Sequence, residues 1–331
     1  MAQDSRTTRV GVIDIGTVTA RLAIADVQDG KVQRLARQST IVNLGEGVDR
    51  TGRLSVEACG RLLVCVERYL TMIRDAHVDA TCCTLTSAAR DAENSGDLLA
   101  AFQKRGLVAQ VIPGQVEGSL TFLGVAQDFP GESLVVADNG GGSTEFAWGV
   151  LGSDGLDLRR VHSIDVGCRR ITERFLSKDN PPAAEDVQAA HEFAAHEFAS
   201  VATWWEGDAG RPQRLVVTGG TSTTLVALSK ALVPYDSTRV HLAQLTRAQV
   251  REQEERLAAV TVEERAKLAG IQPQRAPVIL GGVVAVGEIL AATGFDALTV
   301  SESDLLFGMA LTVAAAACDA PTPVGWQPEL S

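Results

Sequence analysis

Aromatic residues are scarce in this 331-residue chain: nine Phe, four Trp and two Tyr, 5% in all. Ala, Val, Leu and Gly must therefore fill the interior, a mix that suits aliphatic strands covered by Ala-rich helices in α/β layers. Positive charge is also in deficit, with 30 Lys and Arg against 41 Asp and Glu, net −11. A general nucleic-acid binder carries a basic face, so no nucleic-acid partner is expected. A local anion site can still oppose the overall charge. No CxxC pair occurs, and the first strand candidate begins near Arg9, leaving no room for a signal peptide. Cys59, Cys65, Cys82, Cys83, Cys168 and Cys318 are expected to be reduced, mostly buried thiols in a cytoplasmic protein. Long uncharged apolar runs are missing too. The most apolar stretch, Ala276 to Phe295, contains Glu288 and five Gly or Pro residues, so a buried turn and helix is expected there and no membrane partner. Neither a Walker A string nor GxGxxG is present.

The length suggests about two domains at roughly 100–200 residues each. Strands are predicted at Val10–Ile15, Ala20–Ala25 and Val32–Val42, with a hairpin turn at Asp29-Gly30. Ser55 caps a helix to about Arg74. Then follow a strand Ala80–Thr86, a helix Ser95–Lys104, a strand Val108–Ile112 and a helix Val116–Gln127. There the pattern restarts. Strands are predicted at Leu134–Asp138, Thr144–Val150 and Leu156–Val166, again with a hairpin at Asp154-Gly155. A helical region Ala183–Trp205, a strand Leu215–Val217 and helices Ser222–Ala231, Gln244–Leu257, Val262–Leu268 and Pro277–Leu290 come next. A strand Ala297–Val300 and a last helix Ser303–Ala317 complete the pattern. The tail from Pro321 on carries three prolines and is expected to fray.

The restart has a fixed spacing. Asp14-Ile15-Gly16 aligns with Asp138-Asn139-Gly140 at an offset of 124, where Thr19 also meets Ser143 and Leu22 meets Phe146. Leu44-Gly45 and Val166-Gly167 repeat at an offset of 122. Two β-β-β units of matched spacing imply a duplicated domain with a cleft between the copies. Each copy puts an Asp at the end of a buried strand, before a turn of small residues whose N–H groups can cradle phosphate oxygens. The carboxylate cannot favour phosphate by charge, so its expected role is to hold Mg²⁺. A third turn, Gly219-Gly220-Thr221-Ser222, also follows a strand and opens a helix, a second type of anion site.

These segments resemble the exopolyphosphatase/guanosine pentaphosphate phosphatase family, within the actin-like ATPase superfamily. Gly11-Val12-Ile13-Asp14-Ile15-Gly16-Thr17 is similar to the family's first phosphate loop, and Leu44-Gly45-Glu46-Gly47-Val48-Asp49 to its next block. Thr86-Ser87-Ala88-Ala89-Arg90-Asp91-Ala92-Glu93-Asn94 is the most specific block. Ile112-Pro113-Gly114-Gln115-Val116-Glu117-Gly118 resembles the catalytic segment, and Asp138-Asn139-Gly140-Gly141-Gly142-Ser143-Thr144-Glu145 the second phosphate loop. The resemblance implies duplicated ribonuclease H-like domains, each a mixed five-stranded sheet flanked by helices, with the active-site cleft between them. Domain I would comprise residues 1–125 plus the helix 303–317, domain II 126–302, and 318–331 a tail. No room remains for the helical phosphohydrolase-like domain of longer members.

The implied reaction is hydrolysis of a terminal phosphoanhydride. Glu117 would be the general base. Asp14, Asp138 and Glu145 would surround Mg²⁺, with Mn²⁺ as the other candidate. Arg90 would contact phosphate, as would Gly16, Thr17, Thr19, Gly140, Gly141, Gly142, Ser143, Thr144, Gly219, Gly220 and Thr221. The substrate would be inorganic polyphosphate or guanosine pentaphosphate, and a homodimer is expected. A superfamily kinase and a non-catalytic alarmone or polyphosphate sensor are the other readings. The chain departs from the family pattern at Val18, at Val116, where one of two Glu residues is missing, and at Asn139, where an aliphatic residue is usual. His191-Glu192-Phe193-Ala194-Ala195-His196 lacks the i,i+4 spacing that brings two His to one metal, so a repeated helix face is expected instead. Trp204-Trp205 is expected to end a packed helix.

Overall fold

A computed structural model describes residues 7–205 and 210–331. It has two compact units, Met1–Gly124 with Leu305–Ser331, and Val125–Asp304. In the first unit, β1 (Thr8–Ile15), β2 (Thr19–Gln28) and β3 (Lys31–Ile41) form an antiparallel meander. β4 (Ala80–Leu85) and β5 (Ala109–Val111) continue parallel to β1, giving the order β3-β2-β1-β4-β5. Asp29 and Gly30 turn the hairpin, both with positive φ (51° and 70°), as the twist of paired strands requires. β1 is buried on both faces because a helix covers each side. On one side lies the helix Val56–Asp75, whose Leu62, Val66 and Tyr69 pack with Ile13 and Ile15. Its N-cap Ser55 accepts from the Ala58 N–H at 3.2 Å. On the other side lies the last helix, Leu305–Ala317, where Met309 meets Thr84 at 3.5 Å. Gly308 lets this helix settle on the Leu120 carbonyl, since a Cβ there would come within 1.8 Å of that oxygen.

The second unit repeats the meander as β6 (Ser133–Asn139), β7 (Thr144–Gly152) and β8 (Gly155–Ile164). β9 (Arg214–Thr218) and β11 (Ala297–Val300) extend it in parallel, and β10 (Gln244–Thr246) adds an antiparallel edge. The order is β10-β11-β9-β6-β7-β8, so this sheet has six strands rather than the five expected. The difference lies at Gln244, expected to start a helix. Thr246 instead forms a capping box with Gln249, which starts the helix at Arg247 and leaves the residues before it extended against β11.

The Ala183–Trp205 region becomes a helix Ala184–Phe198 followed by a 3₁₀ turn, Ala199–Thr203. Trp204 and Trp205 then pack edge-on against Phe146 and Trp148. Most of the apolar helix Ile279–Thr293 is buried in the same core, and among the described residues no helix is long and apolar enough to cross a membrane. The tail does not fray. Ser331 and Thr81 exchange two backbone hydrogen bonds of 2.9 and 3.1 Å. The Val108 N–H donates to Ser331 Oγ and the Glu329 N–H to Gln110 Oε1. Prolines remove donors only at their own positions, so those at Glu329 and Ser331 are still available to dock the tail.

His191 ties three helices of the second unit together. Its ring meets Glu254 at Nε2 and Glu288 at Nδ1, both at 2.7 Å, while His196 is exposed. The two histidines thus share no site. The hydrogen bond to Glu254, then that to Glu288, raise His191 from 6.5 to about 9. A histidine pKa raised by folding gives stability that is complete below about 6.5 and is lost as pH rises through the folded value. Urea unfolding should therefore show wild type losing more stability between pH 7 and pH 10 than His191→Phe does. Parallel curves would show that the ring carries no charge-linked stability.

Candidate active site

The residues singled out above collect where parallel strands end, the usual place for ligands in open α/β sheets. In the first unit β1 ends at Asp14-Ile15 and the neighbouring β4 at Leu85, next to Thr86. In the second unit β6 ends at Asp138-Asn139 beside Thr218 of β9.

The turns after β1 and β6 share one construction. Each closes on itself, Gly16 N–H to Thr19 O and Gly140 N–H to Ser143 O, both 3.0 Å. Each also has its carbonyls held from behind by the chain leaving the third strand. In the first unit the Val42 and Asn43 N–H groups donate to Val18 O, both at 2.9 Å, and Gly45 N–H donates to Thr17 O at 2.8 Å. In the second, Cys168 N–H donates to Gly140 O at 3.0 Å, and the Arg169 and Arg170 N–H groups to Gly141 O at 2.8 and 3.2 Å. Arg170 Nε adds a 2.7 Å bond to Gly142 O. With the carbonyls engaged, the N–H groups of Thr17, Val18, Gly141 and Gly142 donate to no acceptor among the described residues. Consecutive N–H groups without a protein acceptor, in a turn of small residues, are of the kind that can cradle an anion. The repeated glycines supply the close approach. A Cβ on Gly45 would come within 2.3 Å of Thr17 Cγ2, and one on Gly167 within 2.5 Å of the Gly141 carbonyl.

The carboxylates differ between the copies. Asp14 lies opposite Arg21 across the β1–β2 ladder and accepts from Arg21 Nη2 at 2.6 Å and Nε at 3.0 Å. At the same place in the second unit Asp138 lies opposite Glu145, so two carboxylates share one face of the sheet. Glu145 Oε1 accepts from the Ser143 and Ser163 hydroxyls at 2.7 and 2.8 Å. Among the described residues no three His, Cys, Asp or Glu side chains are arranged to hold a metal by themselves. The Asp138–Glu145 pair nevertheless fits a hard divalent cation, which takes one or two carboxylates and completes its shell with water and phosphate oxygens.

Glu117 is in the first turn of the helix Gly114–Ala126 and is mostly buried. Arg90 Nη1 donates to Glu117 Oε2 at 2.6 Å and to Ile112 O at 3.1 Å, so the two residues expected to act on substrate form one ion pair. At the third turn Gly219 has φ 101°, and a Cβ there would lie 2.6 Å from Asn139 O. Gly220 lies against the Arg275 guanidinium, where a Cβ would come within 2.0 Å of Nη1. A cation thus sits against the positive end of the ten-residue helix Gly220–Ser229.

A family model described as Ppx/GppA phosphatase matches residues 23–314. The chain belongs to that family. It is 37% identical over 332 residues to exopolyphosphatase 2 of Mycobacterium tuberculosis (strain ATCC 25618 / H37Rv), covering 93% of this chain and 99% of that protein. The crystal structure of the Aquifex aeolicus family member superposes with a TM-score of 0.76 at 33% identity, covering 92% of this chain and 97% of that one. An exopolyphosphatase from Cytophaga hutchinsonii gives a TM-score of 0.82 at 25% identity, covering 96% and 100%. The fold is accordingly the actin-like two-domain fold, and this Ppx/GppA chain is a phosphoanhydride hydrolase.

Within this Ppx/GppA frame, Asp14, Gly16, Thr17 and Thr19 lie at the first turn and Arg90 and Glu117 form their pair in the first unit. Gly140 to Glu145 and Gly219 to Thr221 gather in the second. Two expected phosphate donors direct their side chains inward. The Thr144 hydroxyl is buried and donates to Val166 O at 2.6 Å, and Thr221 packs on Gly282 of the helix Ile279–Thr293. Arg21, Ser163 and Arg275 contact these turns or their carboxylates and were not singled out by motif reading, whereas Arg170 matches a basic position of the family, a match that from sequence fits helix solvation and phosphate contact equally, and holds Gly142 O. Arg21 had a usable signal, since it stands 124 residues before Glu145.

The glycine approaches are testable. Gly167→Ala presses on backbone, whereas Gly45→Ala presses on a threonine methyl that can rotate. Gly167→Ala should cost roughly 1–3 kcal/mol in urea unfolding, as overpacking does, and Gly45→Ala clearly less. Equal costs would contradict the flat contact at Gly141.

Proposed function

We propose that the protein is an exopolyphosphatase that removes the terminal phosphate of inorganic polyphosphate as orthophosphate, in a reaction dependent on Mg²⁺ or Mn²⁺. The observation that carries this reading is that each unit has a turn whose carbonyls are tied by the chain leaving its third strand while N–H groups of the turn donate to no acceptor among the described residues, and that the first unit also holds an Arg–Glu pair. Backbone N–H groups suit a repeating phosphate chain because they recognise oxygens and no particular base. The turns would bind the terminal phosphates. Arg90, with its planar fork of donors, would follow the charge on the transferred group. Glu117 would take a proton from the attacking water. The new P–O bond forms in line as the anhydride P–O bond breaks, giving orthophosphate and a polyphosphate one unit shorter. Asp138 and Glu145 would hold the divalent ion, which would neutralise developing charge on the phosphate oxygens. Asp14, engaged by Arg21, would hold that arginine in place.

Guanosine pentaphosphate is the second substrate to test, because the same turns would bind its terminal phosphates. A kinase reading is disfavoured because it gives Glu117 no water to activate. Phosphate release should be measured with polyphosphates of graded length and with guanosine pentaphosphate. The proposal expects release from polyphosphate, with kcat/KM levelling off at short chains because the net charge of −11 opposes long polyanions outside the site. A steep rise to hundreds of units would reject the short-chain preference, and tight binding without release would reject hydrolysis. Glu117→Gln should retain binding and lower kcat roughly 10²- to 10⁴-fold, the usual contribution of a general base. Near-normal turnover in that variant would remove Glu117 from the role.

A further inference from the structure

Successive residues of β6 face opposite sides of the sheet. Asp138 points with Glu145 to the site, while Asn139 follows Val135 and Ala137 on the core face, where Phe146 and Trp148 also pack. In this apolar setting Asn139 Nδ2 donates to Thr144 Oγ1 at 3.0 Å, and Thr144 Oγ1 donates onward to Val166 O at 2.6 Å. Asn139, Thr144 and Val166 are all buried. The single Thr144 proton goes to a carbonyl, so toward Asn139 the hydroxyl only accepts. That fixes the amide orientation and leaves Asn139 Oδ1 buried without a partner among the described residues. An aliphatic residue would fill the same space without that unmet acceptor, so the amide needs a reason to be there.

The first copy supplies the comparison. At an offset of 124 the equivalents of Asn139 and Thr144 are Ile15 and Ala20, directly opposite each other in the β1–β2 ladder and fully buried. There the chain leaving the third strand reaches the turn with its own backbone, through the Val42 and Asn43 bonds to Val18 O. In the second copy the approach is two residues shorter, as the drop in offset from 124 to 122 records. Val166 N–H donates back to Ile164 O and not to the turn, and its carbonyl receives the Thr144 hydroxyl.

We infer that Asn139 and Thr144 are positioning residues for phosphate binding: their hydrogen-bond chain ties the two strand ends that flank the second glycine turn to Val166 O, and so seats the turn on the Cys168–Arg170 segment that holds its carbonyls. The inference rests on the reading of that turn as a phosphate site. Substrate and transition state would both use the turn's N–H groups, so loosening it removes binding that is uniform along the reaction. The effect then appears in KM and not in kcat.

The test transplants the first copy's solution. The double variant N139I/T144A, with Thr144→Val and Thr144→Ser as companions, is compared with wild type for hydrolysis of a short polyphosphate. Amide hydrogen exchange at Arg169 and Arg170 is measured on the same proteins. The expected result is KM raised roughly 3- to 10-fold in N139I/T144A and Thr144→Val, the scale of one hydrogen bond, with kcat within about twofold. Arg169 and Arg170 should exchange faster in those two variants. Thr144→Ser keeps the hydroxyl and should stay near wild type in both readouts. A lower Tm with unchanged KM and unchanged exchange would reduce the pair to packing and overturn the inference, as would a fall in kcat at constant KM. If wild type releases no phosphate from any substrate, the phosphatase reading fails and exchange alone decides. Faster exchange relieved by Thr144→Ser then supports the latch, and unchanged exchange rejects it.

Discussion

A peptide unit can offer its N–H to a ligand only if its carbonyl is satisfied on the other side, because a buried oxygen without a donor is costly. The N–H groups of Val18, Gly141 and Gly142 meet this condition in the same way, through the bonded Thr17, Gly140 and Gly141 oxygens. The segment leaving the third strand of each meander donates to the turn from behind, and a glycine in that segment keeps the two backbones close. The arrangement reaches into the whole unit. The third strand must end at the right place, the hairpin before it must hold register, and the core under the meander must keep the sheet from shifting. The surface proposed to bind phosphate is thus built from main chain, and side chains decide how firmly it is held.

Duplication has kept this framework and changed its charges. Opposite Asp14 stands a cation, Arg21, and opposite Asp138 an anion, Glu145. One copy thus carries a neutralised carboxylate and the other a pair of acidic groups able to attract a divalent ion. At this one pair of equivalent positions, Arg21 and Glu145, the charge facing the aspartate is reversed between the copies. The overall acidity of the chain says little about either, since the local fields are set by partners within hydrogen-bonding distance.

Much of this was legible in the sequence because it depends on spacing. The offset of 124 residues located both meanders, both turns and the aspartates, and Leu44-Gly45 with Val166-Gly167 marked the two braces before any contact was known. Other features were harder to read. The strand Gln244–Thr246 was hidden because three residues before a helix carry no periodic signal, and only the capping box shows that the helix starts late. The resemblance places Thr144 in the second phosphate loop and so implies a phosphate donor. It is already the first residue of β7, and strand alternation turns it inward. Arg275 reaches Gly220 from more than fifty residues away, a proximity that no local pattern encodes. The docked tail was missed because prolines report what their own residues cannot do and nothing about Glu329 or Ser331.

The first unit is assembled from both ends of the described chain, with the whole of the second unit running between them. One face of its central strand is covered by a helix that begins only at Leu305, and the edge at Thr81 is completed by Ser331. During synthesis the chain emerges in order, so the second unit is complete while the first still exposes the face that will receive Met309. The unit that holds Glu117 and Arg90 is therefore finished last. Its readiness for chemistry reports that synthesis has passed the second unit and reached the segment that carries Met309 and Ser331.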